Sequence, residues 1–449
     1  MKEEYFVLPR RAYPTRTPGA LLTTILAILL ISSLVACSAG SQTTSPAPSA
    51  QPSTSAKAPE TSKPAESKPA ASASVSASPS TAPAAPLKIG ALLTTSGPVG
   101  EAGTRQMVGL EMAIEEINAS GGIMGRKIEL IQRDDGGDPT KALAAAHELV
   151  EKQGVTLILG TTVSSTALAV LPYLTEQKVV LIGSHSAAAA VDAQKYPYGF
   201  TGSPTSSLQA AIIVKYAVDI VKAQKIGILA ESSAYGNGTL ADLKAQLEAQ
   251  RVQPTAVEQY PQGTLDMTTA LSSLRKAGVQ VILGATLGAD SVRILKNLQS
   301  MNWEVPYLGN SDLATTAVVQ GVGPEGLKLT YAYNFKRLAF SDKLPVLEKG
   351  KQFVAKVAKK MNQSPLKESV QQQALFYDLT YLIKAAVEAA RSTEGAKVAA
   401  ALDSIKDFDG VEASYTFTKE KHSGLDLDDL VMVKPASLRD GVFEMAPGY

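Results

Sequence analysis

The 449 residues include a single cysteine, Cys37, and only three histidines. One cysteine cannot close an internal disulfide, and three scattered histidines leave little for a histidine-based metal centre. A charge surplus is missing too, with 43 basic side chains against 42 acidic ones. Binding through phosphates needs a basic excess, so no nucleic-acid partner is expected. The 45% hydrophobic content is ordinary for a globular chain and too low for one that crosses a membrane many times. There is no Gly-x-Ser-x-Gly elbow and no Walker loop, and His147-Glu148 lacks a second histidine four residues on. Gly321-Val322-Gly323-Pro324-Glu325-Gly326 has dinucleotide-fingerprint spacing, but the pattern after it, Leu327–Tyr333, reads as a strand and not a helix. It is expected to be a turn. No enzyme activity, cofactor or metal is expected.

What is present begins with an address. Lys2, Arg10, Arg11 and Arg16 precede an uncharged run, Ala20–Ala36, rich in leucine and isoleucine. A basic segment followed by an apolar one of this length is the pattern of an export signal. Seventeen residues lie at the short limit for a bilayer span. Leu34-Val35-Ala36-Cys37 resembles the lipobox of bacterial lipoproteins. That resemblance implies removal of residues 1–36, lipid on Cys37, and anchoring to the outer face of a bacterial membrane. From Ser38 to Pro86, 40 of 49 residues are Ser, Thr, Pro or Ala. So little apolar surface cannot offset chain entropy, so 37–86 reads as a lipidated, disordered tether.

From Leu87 onward, short apolar runs alternate with helical patterns. Leu87–Thr94, Lys127–Asp134, Thr156–Gly160 and Val179–Ser184 read as strands. Met107, Leu110, Ile114 and Ile117 make one helical stripe between the first two, and Asp138-Pro139 opens the next helix. A second series follows, with strands at Lys225–Glu231, Thr255–Tyr260, Val279–Thr286 and Pro306–Ser311 and helices near 237–250, 266–277 and 289–301. Helical tracts at 345–360 and 370–391 come next; Lys356, Lys359 and Lys360 read as a solvated face. Ala413–Thr418 and Asp428–Val433 return to strand. Two β-α-β series imply an α/β fold of two doubly wound parallel-sheet lobes, with a ligand cleft at the strand C-terminal ends.

Lys88-Ile89-Gly90, Thr95-Ser96-Gly97-Pro98-Val99, Ala113–Asn118, Gly121–Lys127, Arg133-Asp134-Asp135, Asp138-Pro139 and Tyr235-Gly236 resemble the solute-binding proteins of ABC importers, in the leucine/isoleucine/valine-binding branch. The resemblance covers 87–449 and implies a type I periplasmic binding fold. In it, three crossovers, near 200–206, 333–337 and 415–426, join two lobes that close on ligand. Lobe 1 is expected at 87–203 plus about 336–420, lobe 2 at 204–335 plus about 421–449.

By the same resemblance, Ser164 meets a ligand carboxylate with its hydroxyl at a helix N-terminus, and the carbonyl at His185 meets the ammonium. Ala187 stands where the family has a carboxylate-binding threonine; either its N–H alone suffices, or Ser186 or His185 substitutes, or the ligand is different. Tyr235 reaches the ligand from the second lobe. Ser311 replaces the glutamate that pairs with the ammonium, and Asp312, one residue later, is the candidate to take that role. Thr286 stands near a second-lobe aromatic position, and Ala102 where an aromatic often covers the ligand side chain. The expected function is capture of a small carboxylate-bearing solute, a branched-chain or other aliphatic amino acid first, by a monomer that delivers it to an ABC permease. Aromatic carboxylates, amide or urea solutes, and a sensor role remain alternatives.

Overall fold

The computed structural model describes residues 85–449. The export segment, Cys37 and all but the last two tether residues lie outside the described residues.

The first sheet is built from β1 (Leu87–Leu93), β2 (Ile128–Asp134), β3 (Leu157–Gly160), β4 (Val180–Gly183) and β5 (Gly199–Thr201). All pair in parallel, in the order β2-β1-β3-β4-β5. β1, β3 and β4 are buried along almost their whole length, as strands covered on both faces must be. Between the strands run α1 (Gly100–Ala119), α2 (Pro139–His147) and α3 (Ser164–Glu176). The Asp138 carboxylate caps α2 by accepting from the Thr140 and Lys141 N–H groups, with Pro139 in the first turn, as the sequence implies.

After β5 the chain passes to a second sheet. Its helices and strands are α4 (Ser206–Lys215), β6 (Ile226–Glu231), α5 (Ala234–Ala249), β7 (Ala256–Tyr260), α6 (Thr268–Lys276), β8 (Val281–Ala285), α7 (Ala289–Ser300), β9 (Tyr307–Gly309), α8 (Thr316–Leu327) and β10 (Thr330–Phe335). The chain then returns to the first sheet through β11 (Ala339–Phe340), α9 (Glu348–Met361), α10 (Gln371–Ala390), α11 (Gly395–Leu402), β12 (Phe408–Asp409) and β13 (Ser414–Tyr415). It crosses a third time and ends with β14 (Leu430–Val433) and β15 (Phe443–Glu444). The second sheet has the order β14-β10-β9-β8-β6-β7.

Two details differ from the sequence reading. β14 runs antiparallel to β10, so the second sheet is mixed. The third crossover delivers the chain at the end of the sheet where β10 finishes, and a strand starting there can only run back. Gly321–Gly326 is not a free turn: it lies within the span of α8, which breaks at Gly323 (φ 79°, ψ 167°) ahead of Pro324. The strand that follows begins at Thr330 and not at Leu327. The lysines of α9 do face outward, with Lys356 and Lys360 paired to Glu116 and Glu115 of α1.

α1 and α10 pack closely because of Gly109. A methyl group there would sit 1.9 Å from the Gln373 carbonyl oxygen. Its absence lets two 20-residue helices meet backbone to backbone and brings their cleft-side ends together.

Candidate ligand-binding site

The loops after β1, β3, β4, β5, β6, β8 and β9 converge on a cavity between the two sheets. This is where parallel strands leave helix N-termini unpaired and a ligand finds free N–H groups. The cavity holds about 80 Å³ of free space. A water takes roughly 10–15 Å³ on that measure, so the space suits a few waters or one solute the size of a small amino acid.

Ser164, the first residue of α3, lines the cavity and is buried. Its Oγ accepts from the Ser186 N–H at 3.2 Å and the Ala187 N–H at 3.0 Å. With both lone pairs occupied, the hydroxyl proton is free to donate, and the positive end of α3 lies beside it. A carboxylate is the complementary group.

Asp312 faces this from the second sheet and is the one charged side chain among those that line the cavity. Its Oδ2 accepts from the Gly288 N–H at 2.6 Å and from Ser291 Oγ at 3.2 Å. Burial pushes its pKa up to about 6, against the lowering effect of those two hydrogen bonds. Among the described residues no lysine or arginine lines the cavity to neutralise it, and a ligand ammonium would. Ser311, beside it, lines the cavity and donates weakly to the Tyr333 hydroxyl at 3.4 Å.

Tyr235 is tied to the side of the cavity that carries Asp312. Its hydroxyl donates to Gln209 Oε1 and accepts from Asn310 Nδ2, both at 2.9 Å. Asn310 also donates to the Thr286 carbonyl at 3.0 Å. On the first-sheet side, Gln106 Nε2 donates to Ser184 Oγ at 3.0 Å and to Gln372 Oε1 at 2.8 Å. Gln106 Oε1 accepts from Thr162 Oγ1 at 2.8 Å.

Of the nine positions the sequence singles out, Ala102, Ser164, Ser186, Tyr235, Ser311 and Asp312 line the cavity. His185, Ala187 and Thr286 do not. Ala187 belongs to an apolar cluster with Leu181 and Ala190, and its N–H is already taken by Ser164. Thr286 Oγ1 is engaged with Ser291 and the Tyr307 hydroxyl. The His185 ring is fully buried with both nitrogens unpartnered, and burial lowers its pKa to about 4, so it stays neutral. Ser186 keeps its hydroxyl at the cavity, 3.5 Å from the Ser184 carbonyl.

Sequence reasoning missed Gln106, Gln209, Asn310, Gln371 and Gln372. Two signals pointed there: a glycine in mid-helix at 109, one turn after Gln106, and three glutamines, 371–373, placed directly before an apolar helical run.

The cleft is shut on the side of Pro98 and Val99. Gly288 has φ 56° and ψ −131°, and a methyl group on it would come within 2.6 Å of the Pro98 carbonyl oxygen. Beside this contact, Glu101 Oε2 accepts from the Ala317 N–H at 3.0 Å, so a carboxylate of the first lobe meets the first turn of a second-lobe helix.

The model of the periplasmic binding protein family matches residues 86–432. The Leu/Ile/Val-binding protein of Escherichia coli (strain K12) is 24% identical over 257 residues, 57% of this chain and 70% of that protein. Leu/Ile/Val-binding protein homolog 3 of Brucella melitensis is 26% identical over 344 residues, covering 76% and 89%. Among solved structures, a type 1 periplasmic binding protein from Bordetella pertussis Tohama I superposes with a TM-score of 0.73 at 25% identity. That match covers 81% of this chain and all of the other. Two crossing-linked α/β lobes, a cavity at their strand ends and these likenesses lead to one assignment: the chain belongs to the periplasmic binding protein family, as a type I member related to the Leu/Ile/Val-binding proteins.

Proposed function

We propose that this protein captures a small α-amino acid between its lobes, outside the cytoplasm, and hands it to an ABC permease. The observation that carries the reading is the polarity of the cavity. An outward-donating serine at a helix N-terminus stands on one lobe, and a lone carboxylate, Asp312, stands on the other. That pattern complements a zwitterion. The names of the relatives make branched-chain and other aliphatic amino acids the first to test. Lobes at 87–203 with about 336–420, and 204–335 with about 421–449, would move as two bodies about the crossovers. Lipid on Cys37 would keep the protein, a monomer, at the membrane carrying its permease. No bond is made or broken in this role.

A second reading, an amide or urea-type solute, is favoured by the many side-chain amides and hydroxyls that line the cavity. A thermal-shift screen over the twenty L-amino acids, acetamide, urea and benzoate separates the two. At a hundredfold excess over Kd, a true ligand adds about 2.7 kcal/mol of stability. Stabilisation by one or more amino acids supports the first reading; stabilisation by acetamide, urea or benzoate alone rejects it.

A further inference from the structure

With a carboxylate at Ser164 and an ammonium at Asp312, the α-carbon of an amino acid is fixed, and its side group meets what remains of the wall. That remainder is mixed: Val99, Ala102, Val163 and Leu287, with the rings of Tyr235 and Tyr333, supply its apolar part. The polar part is not self-satisfied. Gln371 is 7% exposed and Ser203 8% exposed, both line the cavity, and among the described residues only their backbone N–H groups, not their side chains, are hydrogen-bonded. Gln372 also lines the cavity; its Oε1 accepts from Gln106, and among the described residues its amide nitrogen has no acceptor. Each of these groups is wet while the cavity is wet. An aliphatic side group would expel that water and replace none of its hydrogen bonds, and a site built to hydrogen-bond its ligand rejects the analogue that cannot.

We propose that the side group of the cargo carries a hydroxyl or carboxamide received by Gln371, Gln372 and Ser203, so that the protein selects small polar neutral amino acids over aliphatic ones of equal shape. This rests on the amino-acid reading of the cavity and narrows it. Two shape-matched pairs isolate the effect: L-threonine against L-valine, and L-asparagine against L-leucine. Each is titrated calorimetrically into the full chain, then into Gln371→Leu and Ser203→Ala, the second variant serving should the first fail to fold.

The expected result is at least about tenfold tighter binding of one polar member over its apolar twin, with the ratio reduced in a variant. Valine and leucine binding as tightly as threonine and asparagine, or more tightly, overturns the inference and leaves the amino-acid site standing. So does binding confined to charged or aromatic amino acids. A polar preference that neither variant alters overturns the assignment to these residues. Binding of none of the twenty amino acids removes the amino-acid reading and this inference with it.

Discussion

Asp312 is held near pH 6 by burial, partly offset by two donors, so at neutral pH it is ionised in a cavity with no cation. An arriving ammonium stabilises the charged form, which lowers that pKa in the complex. The sign follows: below about pH 6 the empty protein holds a proton that binding must expel, so affinity falls as pH falls, approaching tenfold per pH unit. Calorimetry of a binding amino acid between pH 5 and 8 checks this, with Asp312→Asn expected to bind weakly and to lose the pH dependence. A flat wild-type profile contradicts the role. Residues of this kind were only partly legible in the sequence. Ser164 was legible because it opens a helix after a buried strand, and Asp312 because it adjoins the family's glutamate position. The wall of amides was not: Gln106, Gln209, Gln371 and Gln372 sit far apart in the chain and meet only through helix packing and lobe closure.

At the scale of elements, most of the long strands were readable because buried parallel strands are continuous apolar runs between turn residues; their order in each sheet and the short β5 were not. The direction of β14 was not, since antiparallel and parallel edge strands share the same composition and only the route of the third crossover sets it. α8 was misread because Gly323 and Pro324 are ordinary turn residues, and here they break a helical span instead of replacing it. The loop between β8 and α7 carries the clearest element-scale prediction. Gly288 combines positive φ with a close approach to Pro98 across the cleft, so Gly288→Ala opposes the closed arrangement twice, through backbone strain and through contact. Strain of about 1–3 kcal/mol translates into roughly a fivefold to hundredfold loss of affinity. With ligand saturating, X-ray scattering should find the variant more expanded than wild type. Wild-type affinity together with a wild-type scattering curve would show that this contact does not govern closure.

The whole molecule carries an unusual set of buried acids. Burial raises Glu231 and Asp378 to about 7 and Asp312 to about 6, and Glu412, with both oxygens unpartnered and Asp378 nearby, is also raised well above the usual carboxylate range. Unfolded carboxyls lose their protons near pH 4, so between about pH 4.5 and 7 the folded state binds more protons than the unfolded one. Stability is then lost as pH rises. His185 acts oppositely. Lowered to about 4 by burial, it makes the folded state lose stability as pH drops below 6.5, by about 3 kcal/mol at the limit. Four acids outweigh one base above pH 5, so the ligand-free protein should melt at a higher temperature near pH 5 than near pH 7.5. A melting temperature that climbs steadily from pH 5 to 7.5 would contradict this balance.

The central claim is that the two lobes grip both charged ends of one small zwitterion. Its most direct test is a calorimetric comparison at pH 7.5 of L-threonine and L-valine with 3-hydroxybutyrate and isovalerate, which lack the amino group, and with 1-amino-2-propanol and isobutylamine, which lack the carboxyl. An amino acid should bind, and its two truncated counterparts should bind weaker by about a hundredfold or more, because each leaves a buried group at Ser164 or Asp312 without its partner. A truncated acid or amine that binds as tightly as the amino acid would show that one end of this cavity holds nothing.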